Sequence, residues 1–291
     1  MRLKSAWDVV DLFDYSKGNI NNMDNRSRRK NKAAGMRGKD SWNRKAGGML
    51  APSGRKQAWK GGNMLYPVPA VMVSCGREGE KPNIITVAWA GTVCSDPPMV
   101  SISIRPQRYS HAIIEETGEF VINLVTESLA RACDWCGVKS GKDTDKFAYT
   151  WEINKAEGEE LAKSQAKSQA EDLAKARAKD HVIDHVKEPA KDGNPQKIQG
   201  RLTAGKASKL GHAPIILESP VSLECKVKQK ISLGSHDMFL AEVVCVDADE
   251  AYIDQNGRLD LSRAGLIAYS HGTYYGLGEK LGTFGYSVKR K

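Results

Sequence analysis

Cysteine is scarce in this chain. Six residues in 291 (75, 94, 133, 136, 225 and 245) are too few and too scattered for a disulfide-built scaffold. Four of them fall in apolar or strand-like runs, where cysteine packs as a small hydrophobe. No apolar run approaches the roughly 20 residues of a membrane span. Val9-Val10 is followed at once by Asp11, so the start lacks the apolar core of a signal peptide. No Gly-x-Gly-x-x-Gly occurs, so no Rossmann-type nucleotide turn is present. Cys133-x-x-Cys136 has no second pair to complete a zinc site and no βαβ context for a thioredoxin motif. Two helical cysteines at that spacing can share a packed face. His181 and His185 have i, i+4 spacing but lack the glutamate of a zincin. No metal site is expected. These absences leave a reducing, cytoplasmic setting without a membrane partner as the expectation.

The charge is unevenly distributed. The chain carries +9 overall. Residues 1–60 hold fifteen Lys/Arg and five Asp/Glu, or +10, so residues 61–291 sum to −1. The basic character therefore belongs to the N-terminal extension, which is rich in Asn, Arg, Lys and Gly and has little periodicity. It reads as a disordered, solubilising tail. Trp42 and Trp59 lie among its cations, but it has no recognised nucleic-acid module, and nucleic acid is not an expected partner. Met49 is a plausible alternative start.

The patterned sequence runs from about 61 to 291. Residues 68–75, 83–90, 99–105 and 119–125 read as strands, with Ser95-Asp96-Pro97-Pro98 as a breaker between the second and third. Residues 110–116 read as a helix stopped by Gly118. Residues 128–136 read as a second helix, with Ser128 as its N-cap. Over 221–231, Val221, Leu223, Cys225, Val227 and Ile231 share one face, and Glu224, Lys226, Lys228 and Lys230 the other. Residues 238–246 are apolar on both faces, as in a central strand, and 266–269 read as a last short strand. Six or seven strands with few helices argue for a closed antiparallel barrel with peripheral helices. Residues 155–213 interrupt this plan. Their 159–179 stretch, with the near-repeat AKSQAKSQA and alanines four apart, reads as a solvated helix followed by a Lys/Pro/Gly-rich loop.

The chemistry concentrates in 83–110. Thr86 and Ala88 present a small face. Ser101, Ser103 and Arg105 line one face of the next strand, opposite Val100, Ile102 and Ile104. Arg105, Arg108, Tyr109 and Ser110 gather at a strand end and a helix N-terminus, where unsatisfied N–H groups and the helix dipole favour an anion. An ordinary buried strand with a solvated arginine pair would carry the same composition.

The ordered string resembles the flavin reductase-like family, particularly its flavoredoxin branch, over roughly 60–154 and 214–291. The resemblance rests on Met64-Leu65-Tyr66-Pro67; Asn83-x-x-Thr86-x-Ala88-Trp89; Ser95-Asp96-Pro97-Pro98; and Arg105-x-x-Arg108-Tyr109-Ser110. It continues through Phe120-Val-Ile-Asn123, Cys136-Gly137-x-x-Ser140-Gly141, Asp145-Lys146-Phe147 and Leu223-Glu224-Cys225. It ends in Gly234-x-His236, Glu242-Val243 and Tyr274-Tyr275-x-Leu277-Gly278.

The resemblance implies a mainly β fold, an antiparallel, Greek-key FMN-binding split β-barrel, usually dimeric, here with a helical insertion. It implies that Asn83, Thr86, Val87, Ala88, Trp89 and Ala90 line the isoalloxazine, joined by Ser103. It implies that Arg105, Arg108, Tyr109 and Ser110 hold the phosphate and ribityl chain. Lys146 and Ser140 should lie near the pocket or its entrance, and His236 near the flavin face or nicotinamide site. The implied activity is NAD(P)H-dependent reduction of a flavin or ferric acceptor, with FMN as cofactor and NADH or NADPH as donor. The alternative is a flavoredoxin-like electron carrier with a protein redox partner.

Overall fold

The computed structural model describes residues 52–152 and 199–288. The compact unit carrying every element below opens at Tyr66. Its strands and helices run β1 (Val68–Pro69), β2 (Val71–Cys75), β3 (Asn83–Val87), β4 (Ala90–Ser95), β5 (Pro98–Ile104), α1 (Tyr109–Thr117), β6 (Glu119–Leu124) and α2 (Ala130–Val138). They continue as β7 (Thr150–Glu152), β8 (Gln199–Arg201), β9 (Ala204–Gly205), β10 (Ile215–Ile216), β11 (Val221–Ser232), β12 (Asp237–Ala248), β13 (Ile267–Ser270) and β14 (Thr273–Gly276). No described helix is long and apolar enough to cross a membrane.

Seven strands form the main sheet in the order β3-β2-β6-β11-β12-β5-β4. Every neighbouring pair is antiparallel. The two edge strands, β3 and β4, are consecutive in sequence. The Ser103 N–H donates to the Trp89 carbonyl at 2.9 Å, tying the bend between those strands to β5. The sheet is therefore curled into a split barrel. Alternation sets its inner face: Val100, Ile102 and Ile104 of β5 point inward, with Phe120, Phe239 and Cys225. Ile113 and Ile114 of α1 close the same core. Each buried phenylalanine contributes ~1.5–3 kcal/mol.

Several boundaries differ from the sequence reading. The stretch 83–90 is not one strand: it bends at Ala88-Trp89, and a separate strand, β4, follows. The Pro-Pro breaker is the tip of the β4–β5 hairpin, where Ser95 lies opposite Pro98. Ser128 does not cap α2. A 3-10 turn, Glu127–Leu129, with Thr126 as its N-cap residue, precedes that helix, and the Ser128 hydroxyl pairs with that of Thr126 at 2.8 Å. The strand near 266–269 is not the last, because β14 returns beside it. Gly118 does end α1, with φ 66°, a left-handed conformation that suits a residue without Cβ.

The outer face of β11 holds the largest departure. Glu224 was expected to face solvent, yet it is fully buried. Its carboxylate accepts from the Ser208 and Lys209 N–H groups at 2.6 and 2.7 Å. Glu119 accepts from Gly211 and His212, each at 3.0 Å, and Asn123 accepts from the Ile216 N–H at 2.9 Å. Residues 204–216 thus form a strap bound by side chains of the sheet. The sequence assigned 155–213 to one insertion, but its last part belongs to this strap. The expected helix over 159–179, the His181/His185 pair, Trp42 and Met49 lie outside the described residues.

Candidate functional site

β5 ends at Ile104, and after four intervening residues α1 begins at Tyr109. The Arg108 N–H donates to the Arg105 carbonyl at 3.0 Å, and the His111 N–H to the Arg108 carbonyl at 2.9 Å, so the loop 105–108 is a tight turn into the helix. Arg108 is the N-cap residue of α1 and makes no side-chain cap, and the first turn contains no acidic residue. The helix therefore presents its N–H groups and positive dipole end without an internal counter-charge.

A cleft of about 80 Å³ opens beside this terminus. Asn83, Arg108, Tyr109, Ser110 and Lys146 line it, together with Ser140. The structure thus brings together six of the marked residues from β3, the start of α1 and the segment after α2. Gln107, Lys139 and Gly141 also line it. The motif strings contain or flank these three, but carried no role for them.

Asn83 is 3% exposed, and its amide nitrogen donates to the Ser110 hydroxyl at 2.7 Å. Its Oδ1 is buried with no hydrogen-bond partner. Gly141 packs against that amide, and a Cβ there would meet Oδ1 at 2.0 Å. Lys146 is 2% exposed. Its ammonium donates to the Ile84 and Cys136 carbonyls at 2.6 and 2.7 Å, joining β3 to α2. Burial pushes it down to about 8; the nearby Cys136 and Cys75 oppose this, while the Arg108 charge adds to it.

The other marked residues lie elsewhere. The Thr86 hydroxyl donates to the Cys133 carbonyl, so its face of β3 is covered by α2. Val87 and Ala88 are buried, and the Trp89 ring lies 6.3 Å from that of Tyr66. Ala90 and Ser103 are half-buried on β4 and β5. His236 sits in the β11–β12 turn, its Nδ1 2.9 Å from the Ser235 hydroxyl. Burial lowers its pKa, and the Arg105 charge lowers it further. Arg105 and His236 therefore lie close enough to interact, and neither lines the cleft.

The Cys133/Cys136 pair is packing. All six cysteines are free, and burial pushes Cys75, Cys133, Cys136 and Cys225 up to about 12, which holds them as thiols. The β11–β12 ladder, in which Glu224 lies opposite Cys245, also brings ligand atoms of Glu224, Cys245 and Asp247 within 4.8 Å of one another, a grouping the sequence did not suggest. Burial and the neighbouring Glu224 raise Asp247, and the Glu224 carboxylate is already satisfied by backbone donors.

The model of the flavin reductase-like domain matches residues 63–184 and 172–278. An uncharacterized protein of Archaeoglobus fulgidus is 24% identical over 198 residues, covering 68% of this chain and 81% of that protein. Flavoredoxin of Desulfovibrio vulgaris superposes with a TM-score of 0.58 at 24% identity, covering 81% of this chain and all of that one. An FMN-binding protein from Thermus thermophilus, solved with p-hydroxybenzaldehyde, gives a TM-score of 0.50 at 19% identity, covering 80% of this chain and 99% of that one. With the family match spanning most of the described strands, this chain belongs to the flavin reductase-like family.

Proposed function

We propose that this protein binds FMN and uses it to pass electrons from a reduced nicotinamide, NADH or NADPH, to a flavin or ferric acceptor. The observation that carries the reading is the cleft at the start of α1, whose residues suit a flavin phosphate. Asn83 contributes a buried amide with one end unpartnered, and amide oxygen and nitrogen can exchange places to offer a donor. Arg108 and Lys146 contribute positive charge, and α1 its N–H groups. At about 80 Å³ the cleft is far below the ~300–1,000 Å³ of a whole-ligand pocket, so it takes the phosphate end and leaves the ring system outside.

Bound FMN would supply the redox chemistry, accepting hydride from the nicotinamide and releasing electrons to the acceptor. The protein's residues bind and orient. Arg108, Ser110 and Lys146 neutralise and hold the phosphate. Burial, and after it the Arg105 charge, lowers the His236 pKa and favours the neutral imidazole, suited to hydrogen-bonding a donor or ring edge rather than repelling a cationic product. Ser103 is half-buried on the face of β5 opposite Ile102 and Ile104, a surface suited to a flat ring. A second copy completing a homodimer belongs to this reading, as does a soluble, cytoplasmic setting.

The test is an absorbance spectrum of the FMN-loaded protein before and after anaerobic addition of NADH, then NADPH. Bleaching by either nucleotide supports the reductase and names the donor. A bound flavin that neither bleaches points to an electron carrier served by a redox protein. Failure to take up FMN overturns the cofactor assignment.

A further inference from the structure

We infer that His111 is a positioning residue for the anion cleft: its hydrogen bond to Asp237 closes a ring that fixes the cation-bearing loop 105–110. The inference rests on the reading of that cleft as a flavin-phosphate site. His111 is 5% exposed, and its Nε2 lies 2.8 Å from Asp237 Oδ2, itself 6% exposed. Asp237 opens β12 and lies directly opposite Ile104, the last residue of β5. The six residues 105–110 leave Ile104 and end beside His111. Both ends of the loop are therefore pinned to one residue, through the ladder at Ile104 and through the imidazole at His111.

The ring is braced from three elements. Glu115, one turn along α1, lies 3.6 Å from His111 Nδ1. Lys230 of β11 pairs with Glu115 and lies 3.8 Å from Asp237 Oδ2. The Phe239 ring of β12 meets the imidazole edge-on, with centroids 5.2 Å apart. Hydrogen bonds from Ser232 and His111 hold the Asp237 carboxyl below its ordinary value, so it is a charged acceptor.

The loop enclosed by this ring carries Gln107, Arg108, Tyr109 and Ser110 to the cleft, and Arg105 toward His236. Neither His111 nor Asp237 lines the cleft. Their effect on a ligand acts through the loop. A loop already held in its binding shape loses less freedom when the phosphate arrives. The prediction is therefore selective: losing the pair weakens a flavin that carries phosphate and leaves one without phosphate unaffected.

The experiment measures dissociation constants for FMN and for riboflavin, by flavin fluorescence, on the full chain and three variants. The wild type should prefer FMN. His111→Leu keeps the volume and loses the donor, and should weaken FMN about five- to tenfold with riboflavin unchanged. His111→Gln, which retains an N–H toward Asp237, should recover most of the preference. Asp237→Asn weakens the acceptor and should fall between them, and it carries the test if the leucine variant does not fold. A lowered melting temperature with the FMN-to-riboflavin ratio intact overturns the inference, because the pair is then only structural. Equal affinity of the wild type for the two flavins overturns the phosphate reading first, and the inference with it.

Discussion

Lys146 makes a prediction with two opposite signs. Its ordinary value of 10.5 is pushed down to about 8 by burial. Between those values the unfolded chain holds a proton that the native state lacks, so native stability rises with pH across that window. At about 1.4 kcal/mol for each pH unit, the full effect is about 3 kcal/mol. FMN binding should run the other way. A phosphate dianion beside the ammonium favours its charged form, so binding takes up a proton above pH 8. FMN should then bind about tenfold more weakly at pH 9 than at pH 7, while the phosphate, with its second pKa about 6, stays a dianion throughout. Urea unfolding and FMN titration from pH 7 to 10, on wild type and Lys146→Met, measure both. In the variant both dependences should flatten. Since most other groups cancel in the comparison, equal pH slopes in wild type and variant would refute the assignment.

Gly141→Ala should weaken FMN at least about tenfold in the same titration, because the new methyl occupies the place of the Asn83 amide. His236→Ala should slow nicotinamide-dependent bleaching about tenfold while leaving FMN affinity unchanged, as measured by stopped-flow absorbance. A thiol reagent should label Cys94 first in the native protein and reach Cys75, Cys133, Cys136 and Cys225 only on unfolding, and Cys133→Ala/Cys136→Ala should retain flavin reduction. Removing residues 1–48 should leave FMN affinity unchanged; salt-sensitive nucleic-acid binding that disappears with the same deletion would give the basic extension a role of its own.

The helix start proposed here to hold the phosphate was legible because its parts are local. Arg108, Tyr109 and Ser110 start a helix whose stop signal, Gly118, is plain in the sequence, and a helix start places N–H groups without help from the rest of the fold. The β5 alternation was legible for the same reason, since period two alone decides which residues face inward. The partners of Lys146 were not legible, because its bonds to Ile84 and Cys136 span 62 and 10 residues and go to carbonyls, which every residue carries. The same blindness hid Glu224, which alternation placed in solvent but which the strap buried by offering two backbone donors. β4 was hidden by its own exposure: Gly91, Thr92 and Val93 are all exposed and show no alternation, and only pairing with β5 makes them a strand.

The short pair β7–β8 has a consequence for how the chain could be altered. Glu152 and Gln199 face each other across one antiparallel rung. The Trp151 ring is flattened against Gly200, where no side chain would fit, and the Tyr149 and Trp135 rings continue the stack toward α2. The two ends of the segment between them are thus held about 5 Å apart by contacts that the segment does not supply. Loop-closure cost grows only slowly with length, about 0.6 kcal/mol per doubling. The rung therefore acts as a socket: residues 153–198 could be exchanged for another sequence, or for a tight turn, with the barrel and the cleft at the start of α1 left standing.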